Sequence, residues 1–332
     1  MNLLSIPRKE VGWAARLSAL RYRLDRDALR FICETHQGLP PQPAPAERTL
    51  VFFAHFDPQG IVDPYVVYYL NALRQRGTTI VFVSGSPSLT PDSVALIRPV
   101  CAGIYTRRTL SLDFGSFHLA WCILQSHGWS LDQFDRLVLA NDSVFGPLFP
   151  LEEMWSTFQH ADMYGAIESA EQGQHIQSFF LVWDLNARTR PFLAEFWTDF
   201  QYIVDKYALI RRYEVGLSRR ARRSGLKIKP FVSVADIEAA YALSRSHQWS
   251  EKFSMPSTNN TLYFWDGLIE HLRFPFLKTI LPRYNEPWHD SMEHLQEFIE
   301  KHTNYPFGLI RGNVERLGCG PPRWVRPRSS ES

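Results

Sequence analysis

Four polar clusters hold side chains able to do chemistry: His55-Phe56-Asp57-Pro58-Gln59-Gly60, Ser84-Gly85-Ser86, Asn141-Asp142-Ser143 and His175-Ile176-Gln177-Ser178. Carboxylates and imidazoles exchange protons, and amides and hydroxyls hold ligand hydroxyls. The third cluster follows the apolar run Leu137-Val138-Leu139-Ala140 and precedes Gly146-Pro147. A run of that length reads as a buried strand, and Gly-Pro ends regular structure. Asp142 is therefore presented at the carboxyl end of a central strand, the edge where open α/β sheets bind ligands. The competing reading is that Asn141 and Asp142 only shape a turn, since both residue types favour one.

The elements that position these clusters follow from periodicity. Leu50 to Ala54, Thr79 to Val83 and Gly103 to Thr106 read as strands. Helices separate them, one starting at Asp63-Pro64 with Asp63 as its cap, the next over Pro91 to Val100. Strand, helix, strand, helix, strand predicts a parallel sheet with right-handed crossovers, which brings the first three clusters to one edge. Asp113-Phe114-Gly115-Ser116 begins a further helix, with Asp113 as its candidate cap. Glu152 to His160, Arg190 to Tyr207 and Arg212 to Ser224 read as helices. Met163 to Ile167 and Phe179 to Trp183 read as strands, and Leu226 to Pro230 as an extended edge. At the start, Val11 to Glu34 has a basic amphipathic helical pattern, and Gly38 to Pro45 a stiff proline linker. The expected divisions are residues 1–48 (helix and linker), 49–290 (the α/β domain) and 291–332 (a helix and a disordered Pro- and Arg-rich tail).

Composition removes several classes. The 332 residues carry a net charge of +2, too near zero for a nucleic-acid binder. No run approaches the length of a membrane-spanning helix, and the first residues lack the apolar core of a signal peptide, so a soluble cytoplasmic protein is expected. Cys33, Cys101, Cys122 and Cys319 show no metal or redox spacing. The histidines His55, His118, His160, His175 and His247 show no zinc spacing. There is no Gly-x-Gly-x-x-Gly, Walker sequence or Gly-x-Ser-x-Gly elbow.

Several stretches together resemble the rhamnan synthesis protein F family of bacterial polysaccharide glycosyltransferases. They are Phe52 to Gly60, Asp113 to Ser116, Leu139 to Pro147, His175 to Phe180, Tyr213-Glu214-Val215-Gly216-Leu217-Ser218 and Phe274-Pro275-Phe276-Leu277-Lys278. The resemblance spans about Leu50 to Asn285. It implies a GT-A-like, Rossmann-type mostly parallel sheet flanked by helices, with an N-terminal helical extension and a C-terminal helical region. It also implies transfer of a sugar, most naturally L-rhamnose from dTDP-rhamnose, to a growing cell-surface polysaccharide such as O-antigen, with inversion.

In that frame Asp142 anchors the donor, through a divalent metal (Mg²⁺ or Mn²⁺) or through sugar hydroxyls. The GT-A Asp-x-Asp pattern is met here only at its middle position. Glu214 falls where the catalytic base stands, although Tyr213 and Gly216 replace neighbouring acids. Its alternative is a first-turn carboxylate favouring the helix dipole. His55, Asp57, Gln59, Ser84, Arg107, Asp113, Ser116, Asn141, Ser143 and Lys278 are donor-side candidates, Arg107 for a phosphate. His175, Gln177 and Ser178 are acceptor-side candidates. Arg219, Arg220, Arg222 and Arg223 are either a solvated face or a contact for diphosphate or a lipid-linked acceptor at the inner membrane. Trp249 and Trp265 are sugar platforms or core. Two rivals stand beside this reading: a transferase of another nucleotide sugar, and a non-catalytic glycan-binding or assembly subunit with the same fold.

Overall fold

The computed structural model describes residues 33–44, 48–74, 77–243, 259–284 and 292–318. In chain order it begins with β1 (Cys33–Gln37), β2 (Thr49–His55), α1 (Pro64–Leu73), β3 (Thr78–Ser84), α2 (Pro91–Ile97), β4 (Gly103–Arg107) and α3 (Leu112–Ser126). Next come β5 (Arg136–Asn141), β6 (Val144–Phe145), α4 (Leu151–Trp155), β7 (Met163–Ser169), β8 (His175–Ile176), β9 (Phe180–Asp184) and α5 (Thr189–Thr198). Then follow α6 (Lys206–Leu209), a π-helical turn (Ile210–Glu214), α7 (Val215–Arg223), β10 (Ile228–Val232) and α8 (Val234–Leu243). After these stand α9 (Asn260–Tyr263), α10 (Trp265–Leu272), β11 (Leu277–Lys278), α11 (Ile280–Tyr284), α12 (Met292–His302) and α13 (Gly308–Leu317).

The main sheet runs β1-β4-β3-β2-β5-β9-β7-β10, with β8 paired to β7. Strands β2, β3, β4 and β5 are mutually parallel, and β10 is parallel to β7. Strand β9 runs against both β5 and β7, and β1 runs against β4. This is the expected mostly parallel sheet flanked by helices. A second, two-stranded antiparallel sheet joins β6 to β11.

Alternation along β2 explains the layers. Val51 and Phe53 join one core with Tyr65, Tyr69, Phe145 and Phe276, beneath α1 and the C-terminal helices. Leu50, Phe52 and Ala54 join the other with Phe117, Trp197, Tyr213 and Leu217, beneath α3, α5 and α7. Trp265 is 3% exposed and packs in the first core, so it is no sugar platform. Trp249 lies outside the described residues.

Several local expectations are corrected. Cys33 and Glu34, read as the end of a basic helix, form an edge strand paired with β4; the rest of that helix, 11–32, lies outside the described residues. The proline stretch is docked rather than free: Leu39 N–H donates to Tyr105 Oη at 2.9 Å and Trp129 Nε1 donates to Pro40 O at 3.1 Å. The long helix expected to Tyr207 stops at Thr198, and the helix expected from Glu152 to His160 stops at Trp155. Asp63 sits at the N-terminal cap of α1, but its carboxylate does not cap the helix. It faces Arg316 instead, as described below. The tail from residue 319 lies outside the described residues. No described helix is long and apolar enough to cross a membrane.

Candidate active site

The register levels the carboxyl ends of the parallel strands. His55 stands opposite Ser84, Ser84 opposite Thr106, and Ala54 opposite Asn141. The His55, Ser84 and Asn141 clusters therefore share one edge, as expected. Because β9 is antiparallel, with Phe180 opposite Ala140, the residues just before it reach the same edge.

His55 is buried between Ser84 and Asp142. Its Nδ1 lies 3.0 Å from Ser84 Oγ, and its Nε2 lies 3.8 Å from Asp142 Oδ2. Ser84 Oγ in turn lies 2.8 Å from Ser86 Oγ, so the imidazole sits in a polar chain between two hydroxyls and the Asp142 carboxylate. Burial lowers the imidazole to about 4, so it is neutral near pH 7.

Asp142 Oδ2 accepts the Phe56 N–H at 2.9 Å, and the Asp142 carbonyl accepts the Tyr65 hydroxyl at 2.9 Å. Burial pushes its carboxyl up to about 7, against the Phe56 amide and the Arg283 charge. Asn141 ties the strand end to α3: its Nδ2 donates to Asp113 Oδ2 at 2.7 Å. Its Oδ1 accepts the Ser143 N–H at 3.1 Å and the Ser143 hydroxyl at 2.6 Å. Asn141 and Ser143 shape the turn, and the turn presents Asp142.

Asp113 enters through a strained lead-in, Ser111 and Leu112 having φ of 79° and 43°. Arg107 holds that strain. Its Nε donates to Ser116 Oγ at 2.7 Å, and its terminal nitrogens donate to the carbonyls of Thr109, Leu110 (3.1 Å) and Leu112 (2.7 Å). Gly115 permits the approach, since a Cβ there would fall 2.0 Å from Leu110 O. In this structure Arg107 and Ser116 thus position α3. Asp113 is pushed up to about 6 by burial and then by the Asp142 charge, with Arg107 and Lys278 opposing.

Glu214 closes the π-helical turn ahead of α7, and its Oε1 accepts the Ser178 N–H at 2.8 Å. Ser218, one turn on, accepts the Ile176 N–H at 3.1 Å. These two bonds fasten α7 to the segment before β9 and hold Glu214 at the sheet edge. Lys278, on β11 opposite Val144, places Nζ 4.0 Å from the Phe179 ring centroid. Burial brings its ammonium down to about 8, while the Glu214 and Asp113 charges oppose that. One sheet edge therefore gathers His55, Asp113, Asp142, Glu214 and Lys278, close enough for their charges to act on one another. Of the acceptor-side candidates, Ser178 meets Glu214, His175 Nδ1 lies 2.7 Å from Gly173 O, and Gln177 Oε1 accepts the Thr261 hydroxyl at 3.3 Å.

Asp57 and Gln59 turn toward the C-terminal helix. Asp57 Oδ1 accepts the Gln59 and Ile61 N–H groups at 2.9 and 3.0 Å. Its Oδ2 lies 2.5 Å from Arg316, whose guanidinium also takes Asp63 (2.8 and 2.5 Å) and Gln59 Oε1 (3.2 Å). Burial alone would raise the Asp57 carboxyl; hydrogen bonds from Arg316, Ile61 and Gln59 outweigh it and hold it below the usual range. Asn313 bonds both Asp63 and Arg283, and Arg283 reaches the Tyr65 hydroxyl at 3.1 Å. Tyr65, Arg283, Asn313 and Arg316 thus brace the loop and Asp142 from behind. The sequence reading missed all four. The one available signal was the three-residue spacing of Asn313 and Arg316, which puts them on one helix face.

Two predictions arise here. Arg316→Ala strands two carboxylates that are 5% and 7% exposed, so it should lower stability by about 2–4 kcal/mol in chemical denaturation. An unchanged midpoint would contradict this bracing role. The second concerns pH. An unfolded Asp ionises near 4, whereas folded Asp142 holds its proton to about 7. Between those values the folded state binds more protons, so Asp142 costs stability as pH rises from 4 to 7. The Tm of Asp142→Asn, relative to wild type, should climb by at least about 2 °C from pH 5 to pH 8. A pH-independent difference would show that Asp142 is not held in this way.

The donor set does not suit a protein-held divalent cation. Among the described residues, no three or more His, Cys, Asp or Glu side chains gather to hold a metal ion. The strand end offers one carboxylate, and Asn141 Oδ1 is taken by Ser143. Mg²⁺ needs a near-octahedral oxygen shell. A separate cavity of about 540 Å³, lined by Tyr68, Pro147, Phe149, Glu152, Arg273 and His302 among others, shares none of the cleft side chains.

No curated protein matches the sequence. Among solved structures, the glycosyltransferase GlyE of Streptococcus pneumoniae TIGR4 is similar at 10% identity, over 85% of this chain and 66% of that one, with a TM-score of 0.38. The galactosyltransferase LgtC, in complex with donor and acceptor sugar analogs, is similar at 12% identity over 80% and 99%, with a TM-score of 0.32. The model of the family described as rhamnan synthesis protein F matches residues 80–328, a span that takes in Asp113, Asp142, Glu214, Lys278 and the bracing Arg316. The chain belongs to the rhamnan synthesis protein F family.

Proposed function

We propose that the protein is a nucleotide-sugar-dependent glycosyltransferase that builds a surface polysaccharide, by single displacement with inversion. The observation that carries this reading is the convergence of Asp142 and Glu214 at one sheet edge in a member of a rhamnan synthesis family. Glu214 takes the proton of the acceptor hydroxyl as that oxygen attacks the anomeric carbon. The bond from that carbon to the diphosphate oxygen breaks, and its electron pair leaves with the nucleoside diphosphate. Asp142 holds donor hydroxyls, with the Phe56 amide fixing its carboxylate.

The family description supports L-rhamnose as the sugar, which makes dTDP-rhamnose the first donor to test. The acceptor is a glycan, free or lipid-linked. Arg219 and Arg223 are exposed on α7, which supports contact with an anionic membrane face in the cytoplasm. The test is NMR of the glycan made from a panel of nucleotide sugars. The product linkage should have the anomeric configuration opposite to the donor's, with dTDP-rhamnose preferred. A retained configuration would remove the single displacement, and a different preferred donor would remove rhamnose.

A further inference from the structure

We propose that the leaving diphosphate is neutralised in this protein by Lys278 rather than by a divalent cation. The inference rests on the transferase reading above and adds what the diphosphate meets. Three observations support it.

The first is position. Strand β6 starts directly after Asn141-Asp142-Ser143, and β11 pairs with it so that Lys278 stands opposite Val144. The next residue locks the pair, for Thr279 N–H and its hydroxyl both donate to the Ser143 carbonyl, at 3.0 and 3.1 Å. The ammonium is thus held by backbone pairing beside the strand end that presents Asp142.

The second is availability. Lys278 Nζ rests 4.0 Å from the Phe179 ring centroid, and no described carboxylate pairs with it directly. Glu214 and Asp113 act on it only through space. A half-buried ammonium without a direct counter-ion among the described residues is well placed to gain from an arriving anion. Its proton is easier to lose than usual, about 8, and an arriving diphosphate would hold it firmly.

The third is the acid arrangement. A cation-binding pair would need its carboxylates free to converge on one ion. Here Asp113 is tied to Asn141 Nδ2 at 2.7 Å, and Asp142 to the Phe56 N–H at 2.9 Å. Both carboxyls are raised by burial, so the cleft is less anionic than its acid count suggests. During transfer the carbon–oxygen bond breaks and the electron pair goes to the diphosphate. Lys278 donates hydrogen bonds to that oxygen and need not give up its proton. Among half-buried side chains such a charge stabilises more than it would in bulk solvent.

The test is calorimetric titration of EDTA-treated, desalted full-length protein with dTDP, UDP and GDP and with the matching monophosphates. Each is run with EDTA, with Mg²⁺ and with Mn²⁺. The preferred diphosphate should bind with EDTA within about twofold of its affinity with either metal. Lys278→Met should weaken the diphosphate by about 10–100-fold, the worth of a charge-assisted hydrogen bond, and the monophosphate much less. Lys278→Arg should keep most of the affinity, which guards against a folding defect in the Met variant. Diphosphate binding that needs Mg²⁺ or Mn²⁺, or a folded Lys278→Met protein that binds as wild type does, overturns the inference alone. No nucleotide binding in any column overturns the transferase reading and this inference with it.

Discussion

Glu214→Gln should lower kcat for sugar transfer by about 10²–10⁴-fold, the usual contribution of a positioned general base. Donor affinity should stay within about twofold, because the change keeps the shape of the side chain. The amide Oε1 can still accept the Ser178 N–H that Glu214 accepts at 2.8 Å, so the π-helical turn and α7 keep their anchor. What is lost is the basic oxygen that removes the acceptor proton. Steady-state kinetics with donor and acceptor varied separately will decide. A fall confined to kcat supports the base. An unchanged kcat, or an equal loss of donor affinity, would assign Glu214 to holding the fold.

Asp142→Ala should weaken nucleotide-sugar binding by about 10–100-fold, the range for one charge-assisted hydrogen bond. Turnover should fall further, since the loop after β2 loses its tether as well. The Phe56 N–H would lose its acceptor, and His55 would lose the polar neighbour 3.8 Å from its Nε2. Asp142→Asn separates the two effects. It can keep the Phe56 bond and lose the charge, so its donor affinity should fall between wild type and the alanine variant. Equal affinity for all three proteins, measured by titration, would remove Asp142 from the donor site.

The sheet edge was legible in the sequence because its signals are local. An apolar run, a turn triplet and Gly-Pro place Asp142 without tertiary information. The alternation of strands and helices forecast the parallel part of the sheet. The rest depends on partners distant in sequence. Nothing in Phe180 to Asp184 states that β9 runs antiparallel, since a fully buried strand looks the same in either direction. Arg107 carried the residue type of a phosphate ligand, yet its donors serve the carbonyls of its own loop. Asp63 had the sequence signature of a helix cap, but Arg316, more than 250 residues on, outbids the local amides for its carboxylate. At Asp142 and Glu214 a local sequence motif and a distant backbone amide act on the same side chain.

The central claim is that this cleft turns over a nucleotide sugar. It is met most directly by measuring nucleoside-diphosphate release from dTDP-rhamnose and other nucleotide sugars, with a saccharide acceptor supplied, for wild type and Glu214→Gln. Each donor is also titrated for binding. Release selective for one donor, and lost in the Glu214 variant while binding persists, is the predicted result. Neither release nor binding of any nucleotide sugar would contradict the account and leave a glycan-binding or assembly protein built on the same sheet.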